Sequence, residues 1–477
     1  MKRFFFDVTD LRHYLYSHTQ LSGIQRVSVS AIAQARKKLG ANSIWLTYYD
    51  KTRNLYLACP CPEEKSIDLF DYSELSKVLN ISVGSHKLPG MAKYGNSPRR
   101  FLMRAAIWDI RAHLGDTRYF KRRGTTAKAW LTARAEYKQQ LAERNKSENI
   151  HSCVDFRDVA RRGDHLILLD NAWQPEGLDC WLSIAKNQIG LSVSVLLHDL
   201  IPLVRPQYTT SSICKKFYTW LQNSTNYVSQ YIANSQSTAS DLHDFLNASN
   251  APQSIRIVPL AQAQLPKNQI PSYDGRCPPY SDFKQHISLP DNIRVLTKNP
   301  YILIVGTMEV RKNLWKIAAV WDRLRWQSGR QLPKLVFAGR RGWLNDDFDA
   351  LIEATGHLGG WVEIVEEPTD YVLDYLYRYC LFTMTVSFYE GWGLPIGESL
   401  AYGKTAVVSQ TSSMPEVGGD MVEYCDPHCL DSIEQACLRL IDAPEHRIEL
   451  EARIAATQLR TWDDVTHDIL QAVLEVQ

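Results

Sequence analysis

The sequence predicts two doubly wound α/β domains. Short apolar runs alternate along the chain with segments whose apolar residues recur at three- and four-residue spacing, as in parallel strands joined by helices. The runs at 164–170 and 191–200 are nearly continuous in apolar residues, which is typical of strands buried on both faces. With 477 residues, the chain is also too long for one ordinary core.

The first domain is expected to begin at the N terminus. The run RFFFDVTD (3–10) predicts a strand, and the turn LSGIQR leads into a helix that stops at Gly40. The segment 231–246 predicts a strand end, a polar turn and a capped helix. A stretch rich in proline and polar residues, 261–300, then predicts a linker.

We place the domain boundary near residue 293, so the first domain is 1–293 and the second is 294–460. The second domain has the clearer alternation. Its first helix is indicated by an apolar row at helical spacing: Leu314, Ile317, Ala318, Trp321 and Leu324. Its predicted strands are 301–306, 334–339, 361–366, 381–387 and 405–410.

Charge and composition exclude several classes of protein. The chain has 54 Lys and Arg against 52 Asp and Glu, which argues against a general nucleic-acid binder. No run approaches the roughly 20 apolar residues of a membrane span, and Asp7 and Asp10 cut the N-terminal apolar run short of a signal peptide. The ten cysteines contain no CxxC pair, so we expect free thiols in a reducing cytoplasm.

A basic segment interrupts the first domain. Residues 87–128, within a helical insertion at about 87–148, hold eleven Lys and Arg but only two acidic residues, Asp109 and Asp116. The stretch 99–114 predicts a helix with Phe101, Ala105, Trp108 and Ala112 on one side and Arg100, Arg104 and Arg111 on another. Two interpretations stay open: a membrane-surface element, which would place the protein at the inner face of the plasma membrane, or an ordinary solvated helix.

Cations follow two strand ends in the second domain. Arg311 and Lys312 come where a helix should begin, and Arg340 and Arg341 follow the next strand. Cations at a helix N-terminus cost roughly 0.3–1 kcal/mol, so a bound polyanion such as a diphosphate explains them better than solvent does. The alternative is that some of these cations point to solvent or pair with Glu309.

The stretch FYEGWGLPIGESLAYG (388–403) places Glu390 and Glu398 eight positions apart around a glycine-rich turn. Pro395 suits the first turn of a helix, which would put Glu398 in that turn and Glu390 in the loop before it. The glycines allow a ligand to approach the backbone, and N–H groups at a helix start can receive an anion. Carboxylates near such a turn accept hydrogen bonds from sugar hydroxyls, so together with the cations they predict a nucleotide diphosphate sugar.

These residues resemble a known family. The runs GTMEVRKN, FAGRRGW and SFYEGWGLPIGESLAYGKTAVVSQTSSMPEVGGD resemble the retaining glycosyltransferases of family 4, which include bacterial mannosyl- and rhamnosyltransferases of polysaccharide assembly. FDVTDL, SGIQRV and LLHDLIPLVRPQY resemble the N-terminal domains of that family. The resemblance implies a GT-B fold: two Rossmann-like doubly wound domains facing a central cleft, the first binding the acceptor and the second the nucleotide sugar. The last helix, 461–477, would cross back to the first domain.

The resemblance also implies roles for single residues. Lys312 would bind the donor diphosphate, Glu398 the ribose hydroxyls and Glu390 the donor sugar, while His198 would face the reacting carbon and the acceptor. Gly306-Thr307 stands where many members have Gly-Arg, so Arg311 or Arg340 would accompany Lys312. The other implied donor-binding positions are Gly23, Gly391, Gly393, Leu394 and Pro395.

No cofactor or metal is expected. Asp347-Phe348-Asp349 has the D-x-D form of a metal–diphosphate motif, but an acidic helix start explains it better. We expect a cytoplasmic, metal-independent, retaining transfer of a hexose, mannose before dTDP-linked rhamnose, from a nucleotide diphosphate sugar to a glycan or lipid-linked glycan of bacterial surface polysaccharide (O-antigen or capsule). The alternatives are a glycoside hydrolase, a nucleotide-sugar epimerase and a non-catalytic module that binds nucleotide sugar.

Overall fold

The protein forms two compact units. The first comprises residues 1–196, 223–230 and 470–477, and the second comprises 197–222 and 231–469. The domain boundary near 293 stays a prediction. The computed structural model describes residues 2–476 except 17, 19, 20, 66, 82–87, 89, 90, 92–97, 122–124, 147–152, 252, 263–288 and 328–331.

An eight-stranded sheet has the order β4-β3-β2-β1-β5-β6-β7-β8. Its strands are β1 (Phe4–Asp7), β2 (Ile44–Asp50), β3 (Leu55–Pro60), β4 (Val154–Asp155), β5 (His165–Leu168), β6 (Ser192–Leu197), β7 (Gln230–Ala233) and β8 (Ser254–Ile257). Strand β1 pairs in parallel with β2 and β5, with Phe4 opposite both Ile44 and His165. Strands β3 and β4 are antiparallel to their neighbours.

The helices of this part of the chain connect and cover the strands. They are α1 (Thr9–Leu15), α2 (Gly23–Leu39), α3 (Tyr72–Val78), α4 (Pro98–His113), α5 (Thr117–Lys121), α6 (Ala127–Lys146), α7 (Phe156–Val159), α8 (Leu178–Ile184), α9 (Ile201–Val204), α10 (Ser211–Ser224) and α11 (Gln236–Ala248). The predicted stop at Gly40 is confirmed, because α2 ends at Leu39 and Gly40 has a φ of 77°.

A six-stranded parallel sheet lies in the second unit, in the order β11-β10-β9-β12-β13-β14. Its strands are β9 (Tyr301–Val305), β10 (Lys334–Gly339), β11 (Val362–Glu366), β12 (Thr383–Thr385), β13 (Ala406–Ser409) and β14 (Glu423–Cys425). The strand order reverses between β9 and β12, so the loops after these two neighbouring strands diverge at the carboxyl edge of the sheet.

Helices accompany this sheet along the rest of the chain. They are α12 (Asp291–Leu296), α13 (Leu314–Arg325), α14 (Asp346–Ala354), α15 (Gly356–Gly360), α16 (Asp370–Tyr379), α17 (Leu394–Ala401), α18 (Met414–Gly418), α19 (Leu430–Asp442), α20 (Pro444–Ala456) and α21 (Trp462–Glu475). Most of the predicted linker lies outside the described residues, and its last part contains α12.

The six-stranded sheet is buried on both faces, which explains its continuous apolar runs. On β9 and β10, Ile302, Ile304, Leu335 and Phe337 pack into one apolar cluster. The alternate residues Leu303, Val336 and Ala338 pack into another. Successive side chains of a strand point to opposite faces, so both sets must be apolar.

The helices α4, α5 and α6 form a small core of their own. The predicted apolar side of α4 (Phe101, Ala105, Trp108 and Ala112) is buried there with Phe120 and Trp130. The segment that contains these helices leaves the eight-stranded sheet at β3 and returns at β4, where Leu57 pairs with Asp155.

A disulfide between β3 and the residue before β4 corrects the expectation that the thiols are free. Cys59 and Cys153 are joined by a disulfide, while Cys61, Cys180, Cys214, Cys380, Cys425, Cys429 and Cys437 are free.

None of the helices in the described residues is long and apolar enough to cross a membrane.

Candidate active site

The loop after β9 presents two cations at the carboxyl edge of the six-stranded sheet. A short 3-10 turn, Val310–Lys312, carries Arg311 and Lys312, and α13 begins two residues later. Asn313 turns the chain between them with a φ of 60°, and its side-chain amide donates to Pro427 O at 2.9 Å. The two cations therefore precede the helix on an anchored turn instead of extending from its first residues.

The loop after β12 presents Glu390. Its backbone is fixed by two serines, since Glu390 N donates to Ser412 Oγ at 2.9 Å and Ser413 Oγ donates to Glu390 O at 2.9 Å. Ser387 Oγ donates to Glu390 Oε1 at 2.7 Å, which fixes the side chain as well. The spacing of these three serines in the sequence does not reveal their contacts with Glu390.

Both cations meet Glu390. Arg311 Nη1 lies 2.5 Å from Glu390 Oε2, and Lys312 Nζ lies 2.6 Å from Glu390 Oε1. Arg311 Nη2 lies 2.5 Å from Glu309 Oε1, so Arg311 does pair with Glu309. These four side chains are largely buried, and water screens the charges of such groups much less than those of exposed pairs.

This arrangement holds Glu390 ionised. Burial alone would raise the pKa of Glu390, but the charges of Arg311 and Lys312 and the hydrogen bonds from Lys312 and Ser387 lower it to about 2. Glu390 is therefore a carboxylate throughout the physiological pH range. In chemical terms, the site offers two buried cations whose charge an incoming diphosphate could share with Glu390.

The loop after β12 also lies against the backbone of His198, at Gly391. A Cβ built on Gly391 would lie 1.8 Å from His198 O and 2.8 Å from Asp199 Cβ, so only glycine fits. Asn234 Nδ2 donates to the same His198 oxygen at 2.8 Å. His198 is half-buried, and burial raises the pKa of the neighbouring Asp199. The structure thus places His198 and Glu390 around one glycine.

The helix start of the motif is as expected except for the place of Glu398. Gly393, with a φ of 97°, caps α17, and Leu394 and Pro395 are the first two helical residues. The first turn of α17 contains no acidic residue, because Glu398 is its fifth residue. The expectation that Glu398 lies in the first turn is therefore wrong by one residue.

Glu398 has a partner that sequence reasoning missed. Tyr377 Oη donates to Glu398 Oε2 at 2.6 Å from the neighbouring helix α16. The Tyr377 ring stacks on Tyr402 at 5.0 Å, and Tyr402 Oη donates to Asp374 at 2.8 Å. This network fixes the orientation of the Glu398 side chain. It depends on the packing of α16 beside α17, which no local sequence pattern reveals.

The remaining predicted site residues lie on other elements or have other partners. Arg340 is within 3.8 Å of Glu367, and Arg341 forms ion pairs with Glu366 and Asp349. Gly23 is the first residue of α2 and belongs to the other unit. The acidic start of α14 is confirmed, since Asp346, Asp347 and Asp349 lie in its first turn. Within the described residues, no group of three or more His, Cys, Asp or Glu is arranged to hold a metal ion.

Parts of this chain are similar to known glycosyltransferases. Residues 289–456, which contain Arg311, Lys312, Glu390 and Glu398, match the family model "Glycosyl transferases group 1". The chain is 34% identical over 173 residues to the O-antigen chain mannosyltransferase B of Escherichia coli. It is also 25% identical over 254 residues to a serotype-specific mannosyltransferase WbdA of Escherichia coli.

These relatives are matched only in part. The first match covers 36% of this chain and 45% of the relative, and the second covers 52% of this chain and 29% of the relative. The chain therefore aligns with less than half the length of either protein.

Solved structures confirm the fold. HepE of Anabaena, in complex with UDP and glucose, aligns over 100% of both chains with a TM-score of 0.58 and 11% identity. The trehalose-6-phosphate protein of E. coli, bound with UDP-2-fluoro glucose, also aligns over 100% of both chains, with a TM-score of 0.54 and 11% identity. The fold is GT-B, an α/β fold with two largely parallel sheets, as expected from the sequence.

Proposed function

We propose that this protein is a retaining glycosyltransferase that moves a hexose from a nucleotide diphosphate sugar to a saccharide hydroxyl in bacterial surface polysaccharide synthesis. The observation that carries the proposal is the contact of Arg311 and Lys312 with Glu390 at the carboxyl edge of the sheet. A hydrolase that acts on uncharged sugars needs two carboxylates but has no need of two buried cations beside them.

The cations would stabilise the leaving group. As the bond between the anomeric carbon and the diphosphate breaks, both electrons go to the diphosphate oxygen, and charge develops there. Arg311 and Lys312 meet that charge without a metal ion. Because they sit on an anchored turn and are already desolvated, little reorganisation is needed when the charge appears.

Glu390 and His198 would act at the sugar. Glu390 stays ionised because of its low pKa, so it can accept hydrogen bonds from donor-sugar hydroxyls and stabilise positive charge at the anomeric carbon. His198 would face the acceptor. The acceptor oxygen bonds to the anomeric carbon on the face that the diphosphate leaves, its proton passes to the departing diphosphate, and the configuration is retained.

Glu398 would bind the ribose hydroxyls of the donor. Tyr377 occupies one of its oxygens and fixes its orientation. Gly391, Gly393, Leu394 and Pro395 would approach the diphosphate with their backbones. Arg340, directly after β10, and Gly23, at the start of α2, would also contribute.

The partial relatives support a choice of donor sugar and pathway. Two of them are named as mannosyltransferases, one of O-antigen chains, so mannose from GDP-mannose is the first candidate. Rhamnose from dTDP-rhamnose is the second candidate. The acceptor would be a glycan or a lipid-linked glycan. We place the protein in the cytoplasm, with contact to the inner face of the plasma membrane through the basic segment 87–128.

The test is a panel of nucleotide sugars, read first by thermal stabilisation, because a bound donor raises apparent stability by mass action. The stabilising donor is then incubated with saccharide acceptors and with a chelator. We expect release of nucleoside diphosphate that depends on acceptor and resists the chelator, and a product whose anomeric configuration equals that of the donor. Conversion of the donor without acceptor would indicate an epimerase, and stabilisation without turnover would indicate a binding module.

A further inference from the structure

Helix α4 is apolar on two opposite faces. At about 100° per residue, the buried row Phe101, Ala105, Trp108 and Ala112 lies about half a turn from a second apolar row, Met103, Ile107, Ile110 and Leu114. Leu114 directly follows the last residue of α4, and its N–H still donates to Ile110 O at 3.0 Å. The second row repeats at intervals of four, three and four residues, which is the spacing of one helix face. We call it the outer row.

The outer row is not used by the core of the insertion. Met103 is 59% exposed, Ile110 60% and Leu114 78%, while Ile107 is half-buried. Single exposed apolar residues need no explanation, but a continuous row along three turns of one helix is typical of an interaction surface. The buried row already accounts for the packing of α4 against α6, so the outer row has another purpose.

Cations border the outer row on one side. Arg100, Arg104 and Arg111 follow at intervals of four and seven residues, on the flank between the buried and outer rows, and all three are exposed. Three further exposed cations, Arg118, Lys121 and Lys128, lie on α5 and at the start of α6.

The acidic groups nearby cancel only part of this charge. Asp109 accepts hydrogen bonds from Trp130 Nε1 at 2.8 Å and from Arg134 Nε at 3.1 Å, so it faces the insertion core. Asp116 pairs with Arg111 at 2.8 Å and so neutralises one of the six exposed cations named above. The described surface around the outer row is therefore apolar with a positive border.

We infer that the outer row of α4 is the membrane-docking surface of this protein, and that it binds bilayers containing anionic lipid. Apolar side chains with a border of arginines suit the interface of a bilayer, where the apolar row enters the acyl boundary and the guanidinium groups reach the phosphates. A protein partner with an apolar groove would not require cations of one sign along the row. The inference rests on the membrane contact in the proposed function and assigns it to named residues and a lipid class.

The experiment measures co-sedimentation of the full-length protein with vesicles of phosphatidylcholine alone or mixed with phosphatidylglycerol. The double variant Ile110→Asn, Leu114→Asn removes half of the outer row. Ile448→Asn is the matched control, because Ile448 on α20 is also 60% exposed but lies in the other unit. We expect binding to the mixed vesicles to fall about tenfold or more in the double variant and to stay unchanged in the control. A second variant, Arg104→Glu, should weaken binding to the mixed vesicles and reduce its dependence on salt.

Several outcomes would overturn the inference: no binding of the unaltered protein to mixed vesicles, equal loss in the Ile448 control, or a change from dimer to monomer in the double variant by light scattering. The last would show that a second copy covers the row. Donor stabilisation and turnover with a soluble saccharide are measured on the same samples, and the double variant should retain both. If turnover is missing in the unaltered protein, the proposed function fails while vesicle binding is still read independently.

Discussion

Lys312 Nζ lies 2.6 Å from Glu390 Oε1, so residues from the loops of two neighbouring strands, β9 and β12, neutralise each other in a largely buried ion pair. Breaking such a contact affects both folding and ligand binding. The pair therefore provides two complementary tests of the proposed site.

Lys312→Met removes the cation and leaves Glu390 with Arg311 and Ser387. We expect a loss of about 2 kcal/mol in the free energy of unfolding, because a charged hydrogen bond is lost, and a loss of thermal stabilisation by nucleotide sugar. Lys334→Met is the control, since Lys334 pairs with Glu363 at 3.0 Å elsewhere on the sheet. Donor stabilisation equal to that of the unaltered protein would remove Lys312 from the donor site.

Glu390→Gln keeps the shape of the side chain and removes its charge. The two cations are then less neutralised, so a nucleoside diphosphate should bind at least as tightly as before, while transfer should fall by at least about a hundredfold. Binding is measured by calorimetry and transfer by release of nucleoside diphosphate. Unchanged transfer would contradict the role of Glu390 at the donor sugar.

Gly391→Ala should be far more costly than an ordinary glycine substitution. The added methyl group would lie 1.8 Å from His198 O, and we expect a loss of about 3 kcal/mol or more in unfolding free energy. Gly403→Ala is a useful comparison, because Gly403 has a φ of 69° but no neighbour within 4 Å, so its cost of about 1 kcal/mol reflects backbone strain alone. Similar melting temperatures for the two variants would show that the loop moves away from His198.

Tyr377→Phe tests how Glu398 is fixed. The variant keeps the ring stacked on Tyr402 but loses the donor to Glu398, so we expect KM for the nucleotide sugar to rise about threefold to tenfold with little change in kcat. Tyr301→Phe is the control, because it also removes one buried tyrosine hydroxyl, which donates to the backbone oxygen of Leu376 at 2.9 Å. If both variants raise KM equally, the effect comes from general packing.

The buried carboxylate of Asp7 predicts a pH dependence of stability. Burial raises the pKa of Asp7 from 3.8 to about 6, in spite of hydrogen bonds from Tyr56 and Thr9. The folded state therefore holds the Asp7 proton more tightly than the unfolded state does, and this tighter binding stabilises the fold. The stabilisation is complete below the unfolded pKa of 3.8 and is lost as the pH rises through a pKa of about 6.

Asp7→Asn should remove this decrease in the free energy of unfolding with rising pH. Chemical denaturation between about pH 4 and pH 7 should show that the unfolding free energy of the unaltered protein falls relative to that of the variant. Asp155→Asn should give a small difference of opposite sign, because the hydrogen bond from Arg157 lowers the pKa of Asp155. A constant difference between the unaltered protein and Asp7→Asn would contradict a raised pKa.

Much of this fold could be predicted because it depends on local patterns. Continuous apolar runs identified β9 and β10, and the carboxyl ends of parallel strands bring Lys312 and Glu390 to one edge whatever the details of packing. The direction of a side chain at that edge depends on its neighbours, and so Arg341 pairs with Glu366 and Asp349.

Contacts between distant elements could not be predicted in the same way. Tyr377 meets Glu398 only because two helices pack side by side. Cys59 meets Cys153 only because β3 and β4 pair across a separation of 94 residues. Neither contact has a spacing in the sequence that indicates it.

The pairing of β3 with β4 has a consequence for how this chain can vary. The chain leaves the sheet and returns to it at adjacent positions, with the Cα atoms of Cys59 and Cys153 4.3 Å apart. The helices α4–α6 form a core of their own within the intervening segment, so this part can be lengthened, shortened or exchanged without changing the path of the strands on either side. Related chains could therefore differ in the α4–α6 helices while both sheets stay the same.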